Sequence, residues 1–137
     1  MATIVREFLL DAAPEEVWDA ARDVGALHTR LVPGFVVDTV LEDGARRVTF
    51  TGGFVARERI VDVDDARRRI AWSVVGSAHR EHHSASLQLF ADGARTRAVW
   101  IADVLPNDAA PAVDAMIGQG IAAMQRRFAA PSLAAQR

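Results

Sequence analysis

Hydrophobic and polar residues alternate along seven segments of the chain, and alternation with a period of two is typical of β-strands. The pattern predicts strands over residues 3–11, 35–42, 46–51, 54–64, 68–76, 81–91 and 96–105. Turn sequences such as Asp43-Gly44 and Asp92-Gly93 leave only short connections between the last six segments. Short connections favour antiparallel pairing, so the chain is predicted to form a curved antiparallel sheet of seven strands.

Helical patterns follow the first strand and end the chain. Residues 13–24 and 26–34 predict two short helices. Residues 107–130 predict a long C-terminal helix, because apolar side chains recur there every three or four positions. Asn107 or Asp108 is the expected N-cap of this helix. A sheet with one apolar face needs a cover, so we expect the sheet to wrap around the long helix in an α+β fold.

The bulk composition limits what the protein can be. The chain has 137 residues, which predicts a single domain over residues 1–130 and a flexible tail at 131–137. The net charge of −2 argues against a nucleic-acid partner. No apolar run is long enough for a membrane span, and acidic residues interrupt the N-terminal segment where a signal peptide needs an apolar stretch. We therefore expect a soluble, cytoplasmic protein.

Three segments of this chain resemble a known superfamily. They are "LLDAAPEEVWDAARDVGAL" at 9–27, the three central strands at 43–75 with the step Glu58-Arg59-Ile60, and the strand at 93–106 that leads into the last helix. In this order they resemble the START-like superfamily, which includes birch-pollen-allergen-like proteins and the polyketide cyclase/dehydrase and lipid-transport group. The resemblance covers most of the chain and implies a helix-grip fold. Function stays open, because the superfamily includes lipid carriers, receptors, aromatic cyclases and Hsp90-activator domains.

The space between sheet and helix decides whether a ligand can bind. Gly118, Gly120 and several alanines make the long helix thin, which is compatible with close packing against the sheet or with a cavity. An enclosed cavity above about 300 Å³ that both Glu58 and His83 line would favour a small-molecule ligand. A solid interior would favour a protein-interaction domain.

The histidine-rich segment at 76–90 offers one inward-facing histidine. Side chains alternate across a strand, so His83 is predicted to face the interior with the apolar residues, and His82 to face solvent. These two adjacent histidines therefore cannot hold one metal ion together. His79, Glu81 and His83 share a face, but residues two apart on a strand are about 7 Å apart and the preceding turn disturbs the strand. We predict no metal site here.

The same alternation selects two further candidates on the central strands. Glu58 shares a face with Ala56 and Ile60, so its carboxylate is expected in or beside the apolar interior, where it would suit a general acid or base. An ion pair with an arginine at the sheet surface is an equally good interpretation. Trp72 shares a face with Ile70 and is predicted to form an apolar wall.

The last strand and the long helix supply the remaining candidates for ligand contact. Both faces of strand 96–105 are apolar, so the pattern allows either Trp100 or Asp103 to point inward. Met116 and Met124 are on the apolar part of the helix and could line a cavity, although helical methionines often serve packing alone.

Three functions remain compatible with the sequence. The first is binding of a small hydrophobic or amphipathic molecule, such as a lipid, a polyketide or an aromatic metabolite. The second is a cyclase or dehydratase that uses Glu58 or His83 to move a proton. The third is an interaction domain of the Hsp90-activator type. No phosphate-binding or dinucleotide motif is present, so no cofactor is predicted. The oligomeric state stays open, with a homodimer among the options.

Overall fold

The computed structural model describes residues 2–77 and 80–130. The strands are β1 (Ala2–Leu10), β2 (Val36–Glu42), β3 (Ala45–Phe50), β4 (Val55–Asp64), β5 (Arg69–Val75), β6 (His82–Asp92) and β7 (Arg95–Leu105). The helical elements are α1 (Pro14–Ala21), a π-helical turn (Leu27–Leu31), a 3-10 turn (Asn107–Ala109) and α2 (Ala110–Arg127). The predicted tail at 131–137 and the metal-ligand candidate His79 lie outside the described residues.

All seven strands form one antiparallel sheet in the order β1-β7-β6-β5-β4-β3-β2. The six strands after the π-helical turn form a meander, and β1 pairs with the last of them. Irregular pairing at Val36/Asp38 in β2 and Ile60/Asp62 in β4 marks bulges, which bend a sheet. The predicted helix-grip α+β fold, with two short helical elements after the first strand, is confirmed.

Helix α2 covers the concave face of the sheet with its apolar side. Val113, Ile117, Ile121 and Met124 follow the helical period and are almost completely buried. The helix packs mainly against β1 and the π-helical turn. The backbone of α2 lies farther from the central strands, whose inner faces are buried with the help of side chains from other elements.

The expected side-chain cap of this helix is wrong. Asn107 and Asp108 lie in the 3-10 turn that connects β7 to α2, and Ala109 is the N-cap residue. No side-chain hydrogen bond caps the helix. Both candidates precede the N-cap position, from which a side chain bonds the free N–H groups of the first turn.

The two glycines of α2 have different surroundings. A Cβ atom on Gly120 would lie 2.9 Å from an aromatic carbon of Trp100 and 3.2 Å from Phe35, so this position needs a residue without a side chain. A Cβ atom on Gly118 would meet only the guanidinium of Arg6, at 3.8 Å. The thin helix therefore allows close packing at Gly120, where the ring of Trp100 lies against the backbone.

This difference gives a stability prediction. Gly118→Ala should raise the free energy of unfolding by roughly 0.5–1 kcal/mol, because alanine costs less backbone entropy in a helix. Gly120→Ala should instead lower it by about 1–3 kcal/mol, because the new methyl group pushes into Trp100. Urea denaturation of both variants measures the two changes. Equal changes of the same sign would contradict the packing described for Gly120.

Candidate functional site

A small cavity lies between the concave face of the sheet and α2. All six residues that the sequence nominated for ligand contact line it, namely Glu58, Trp72, His83, Trp100, Met116 and Met124. They come from β4, β5, β6, β7 and α2. The alternation of side chains along the strands thus brings the candidates together in one place.

The cavity is smaller than the volume that would by itself favour an enclosed small-molecule ligand. Its volume is about 80 Å³, well under the roughly 300–1,000 Å³ of pockets that enclose drug-sized ligands. Large rings fill much of the interior, since Trp72 and Trp100 meet edge to face with their centroids 6.1 Å apart. The interior is therefore neither the large chamber nor the solid core that the two alternatives described.

A buried ion pair forms the polar end of this cavity. Arg46 and Glu58 are direct neighbours across β3 and β4, and Nε of Arg46 donates to Oε1 of Glu58 at 2.8 Å. Less than a tenth of either side chain is exposed. The guanidinium also donates to the carbonyl of Val24 at 3.4 Å and lies 5.7 Å from the ring centre of Trp72.

This ion pair agrees with part of each prediction for Glu58, and it corrects the predicted place of the arginine. The carboxylate faces inward, as predicted, and it also binds an arginine. The arginine is inside the cavity rather than at the sheet surface. The sequence analysis missed Arg46, although it shares a strand face with the buried Val48 and with Phe50. The carboxylate is thus held in a charge-assisted hydrogen bond inside the cavity.

His83 is the second polar group in the cavity, and it faces inward as predicted. Burial, together with the positive charges of Arg80 and His82, lowers the pKa of His83 to about 4. The imidazole is therefore neutral at pH 7. Among the described residues, no group forms a hydrogen bond with its ring. A neutral imidazole has one donor and one acceptor nitrogen, so His83 can bind either kind of ligand atom.

The orientation of β7 is resolved. Trp100 points into the cavity, while Asp103 points outward and accepts a hydrogen bond of 2.6 Å from Oγ1 of Thr3 on the neighbouring strand. Met124 is almost completely buried, and the half-buried Met116 lies where the cavity opens. Asp103 is therefore not part of the site.

A larger groove of about 600 Å³ adjoins the cavity, and the sequence analysis did not predict it. Phe35, Phe50, Phe54, Arg80 and Met116 line both spaces. The three phenylalanine rings form a row, with centroids 5.1 Å and 5.8 Å apart, and Phe54 is 58% exposed. The sequence signal that could have predicted this groove is the position of the three phenylalanines beside glycine-containing turns. The cavity thus opens between aromatic side chains into a groove on the surface.

The described residues also bear on metal binding and on membrane insertion. Within 2–77 and 80–130, no three His, Asp or Glu side chains are close enough together to hold a metal ion. No helix in these ranges is both long enough and apolar enough to cross a membrane.

Known proteins resemble this chain over almost its whole length. The model of a family described as "Polyketide cyclase / dehydrase and lipid transport" matches residues 1–135. Protein XoxI from Bacillus cereus has a TM-score of 0.83 at 17% identity, with 93% of this chain and 96% of that chain covered. A search of curated protein sequences found no significant match.

Two enzymes share the architecture. The Zhui aromatase/cyclase from Streptomyces sp. R1128 has a TM-score of 0.73 at 20% identity, with 93% of this chain and 90% of that chain covered. Truncated norcoclaurine synthase from Thalictrum flavum has a TM-score of 0.66 at 16% identity, again with 93% and 90% covered. At such identities these structures establish the fold and carry no information on activity.

The buried ion pair gives a prediction for stability. Glu58→Leu leaves the guanidinium of Arg46 unpaired in an apolar cavity and should lower the free energy of unfolding by about 3–5 kcal/mol. The double variant Arg46→Met/Glu58→Leu should lose much less, because no buried charge remains. Urea denaturation of wild type, both single variants and the double variant measures the coupling. Simple additivity of the two single losses would rule out the interaction.

The low pKa of His83 predicts a pH dependence of stability. Its pKa is about 4 in the folded protein against an ordinary 6.5, so between these values the unfolded chain binds the proton more readily. The contribution of His83 to the free energy of unfolding is fully present above pH 6.5. It decreases as the pH falls to 4, by about 3 kcal/mol at most. His83→Gln should lack this part of the decrease, whereas His82→Gln should keep it. Identical pH profiles for wild type and His83→Gln would contradict it.

Proposed function

This chain belongs to the polyketide cyclase/dehydrase and lipid transport family, and on that premise we propose that it binds a small hydrophobic or amphipathic molecule at the cavity and groove. One observation carries the proposal. An apolar space is lined by a few inward polar groups from different strands, and it opens to the surface between aromatic rings. Apolar walls with a small number of polar contacts are typical of small-molecule sites.

The dimensions indicate how such a molecule would bind. The inner cavity of about 80 Å³ accepts only one end of a ligand, whereas the groove of about 600 Å³ has room for the rest. Apolar atoms in the groove would contact the faces of Phe35, Phe50 and Phe54. These contacts remove apolar surface from water, at about 25 cal/mol per Å². The exposed ring of Phe54 would become buried in the complex.

The polar groups of the cavity would then select the inner end of the ligand. His83 offers a donor and an acceptor, and the Arg46–Glu58 pair adds charged hydrogen-bonding atoms. A hydroxyl or carbonyl oxygen at the inner end would replace hydrogen bonds to water with bonds to these groups. An aliphatic end would gain only apolar contacts there, and Arg46 and Glu58 would keep their bond to each other.

Proton transfer by a cyclase or dehydratase is the second candidate, because Glu58 and His83 line the same cavity. Their chemistry makes it the weaker one. A general base works best with a pKa near the working pH, and the pKa of His83 is about 4. The carboxylate of Glu58 is held by Arg46. Binding therefore agrees better with the state of both groups.

Binding at this site can be tested with N-phenyl-1-naphthylamine, an uncharged fluorescent probe. The wild-type protein should bind it with increased probe fluorescence. Ala56→Phe places a ring in the cavity and should weaken binding about tenfold or more, or about 1.4 kcal/mol. Ala71→Phe on the outer face of the adjacent strand is the matched control and should leave binding unchanged. Circular dichroism establishes that both variants fold.

The outcomes separate the three functions. Equal binding by wild type and Ala56→Phe would place the probe elsewhere, and the absence of any binding would favour an interaction domain. A ligand recovered unchanged after incubation with the protein marks a binding module. Conversion that Glu58→Gln abolishes at unchanged affinity marks an enzyme.

A further inference from the structure

Two arginines beside the cavity differ from most others in the described part of the chain. Most described arginines form ion pairs with Asp or Glu. Within residues 2–77 and 80–130, no carboxylate forms an ion pair with Arg80 or Arg126. Both line the groove, Arg80 from just before β6 and Arg126 from the last turn of α2. Distant parts of the chain thus place two unpaired cations at one site.

The groove is positively charged although the protein as a whole is slightly acidic. Its described lining contains no aspartate or glutamate, and its other polar side chains are the uncharged Thr51 and Gln119. The net charge of the chain is −2. A concave surface with charges of one sign raises the local concentration of molecules of opposite sign. The groove therefore favours an anion.

Helix stability does not explain this arrangement. A basic residue in the last turn of α2 interacts favourably with the helix dipole, and Arg126 and Arg127 both have that position. Arg127 lies over the ring of Phe128, outside the groove. The dipole accounts for a charge at the end of the helix, but it does not account for the presence of Arg80 on the same groove.

The row of aromatic rings continues inward from the two cations. Phe35, Phe50 and Phe54 line the groove that Arg80 and Arg126 also line, and the same three rings line the inner cavity. A molecule bound along this path would meet Arg80 and Arg126 in the groove and mostly apolar walls farther in. Such an order of surfaces is complementary to an amphiphile with a charged head and an apolar body.

We propose that the ligand is an anionic amphiphile whose carboxylate or phosphate head pairs with Arg80 and Arg126 while its apolar part extends between the phenylalanine rings into the cavity. This inference rests on the proposed function and specifies the chemical class of its ligand. Guanidinium groups suit both heads, because their planar N–H donors match the oxygens of a carboxylate or a phosphate.

Displacement of N-phenyl-1-naphthylamine by three molecules with an eight-carbon apolar chain tests the inference. Nonanoate, octyl phosphate and 1-octanol share this chain and differ in the head. The wild-type protein should bind at least one of the anions about tenfold more tightly than the alcohol. The anion that binds more tightly identifies the head as a carboxylate or a phosphate. Added salt should weaken the binding of the anion and not of the alcohol.

Variants connect this preference to the two arginines. Arg80→Gln/Arg126→Gln should weaken anion binding about tenfold or more and leave octanol binding unchanged. Arg127→Gln removes the same charge outside the groove and should change neither. If the double variant does not fold, each single variant and the salt dependence of wild type supply the same test.

Two results would overturn the inference. One is equal affinity of the wild-type protein for the anions and the alcohol. The other is an equal loss of anion and alcohol binding in the arginine variants. In both cases the wild-type protein still binds the probe, so these results affect only the choice of head. Failure of the wild-type protein to bind the probe at all would instead overturn the proposed function.

Discussion

A single long helix packs on the apolar face of a seven-stranded sheet, and it is too small to bury that whole face. The rest of the structure depends on this constraint. Helix α2 packs toward β1, and its backbone comes close to β7 only because Gly120 gives room to the ring of Trp100. Helix α1 packs against β6 and β7, and Trp72, Trp100 and the phenylalanine row fill much of the remaining space. Large rings close most of the space but not all of it. The cavity and its groove are what this incomplete cover leaves.

Buried polar side chains line the cavity on the concave face of the sheet. Arg46 and Glu58 are paired there, and His83 is held neutral by burial. A buried ion pair seldom adds net stability over apolar residues of similar size, because both ions lose their hydration. Stability alone therefore gives no reason for such groups at the end of an apolar cavity. The proposed function supplies one, namely recognition of a polar atom on a ligand.

The sequence predicted which side chains share a strand face, but it did not predict the distances that side chains span across the interior. Alternation within β4 and β6 oriented Glu58 and His83, because a side chain two residues along a strand returns to the same face. It could not orient β7, since Val99 and Ile101 make the outer face as apolar as the inner one. The cavity volume depends on how far rings reach across the interior, and no local pattern contains that length. Tertiary packing also decides that Arg80 and Arg126 lie on the same groove, and no local pattern predicts it.

The cavity and the groove are electrostatically linked through Arg80, which lines both. Its positive charge is one cause of the low pKa of His83, and an anionic head paired with Arg80 would offset that contribution. Burial is the larger cause, and an apolar chain in the cavity would only increase it. His83 therefore stays neutral at pH 7 with or without an anion in the groove. The inner end of the proposed ligand would therefore meet a neutral, hydrogen-bonding imidazole beside the paired Arg46 and Glu58.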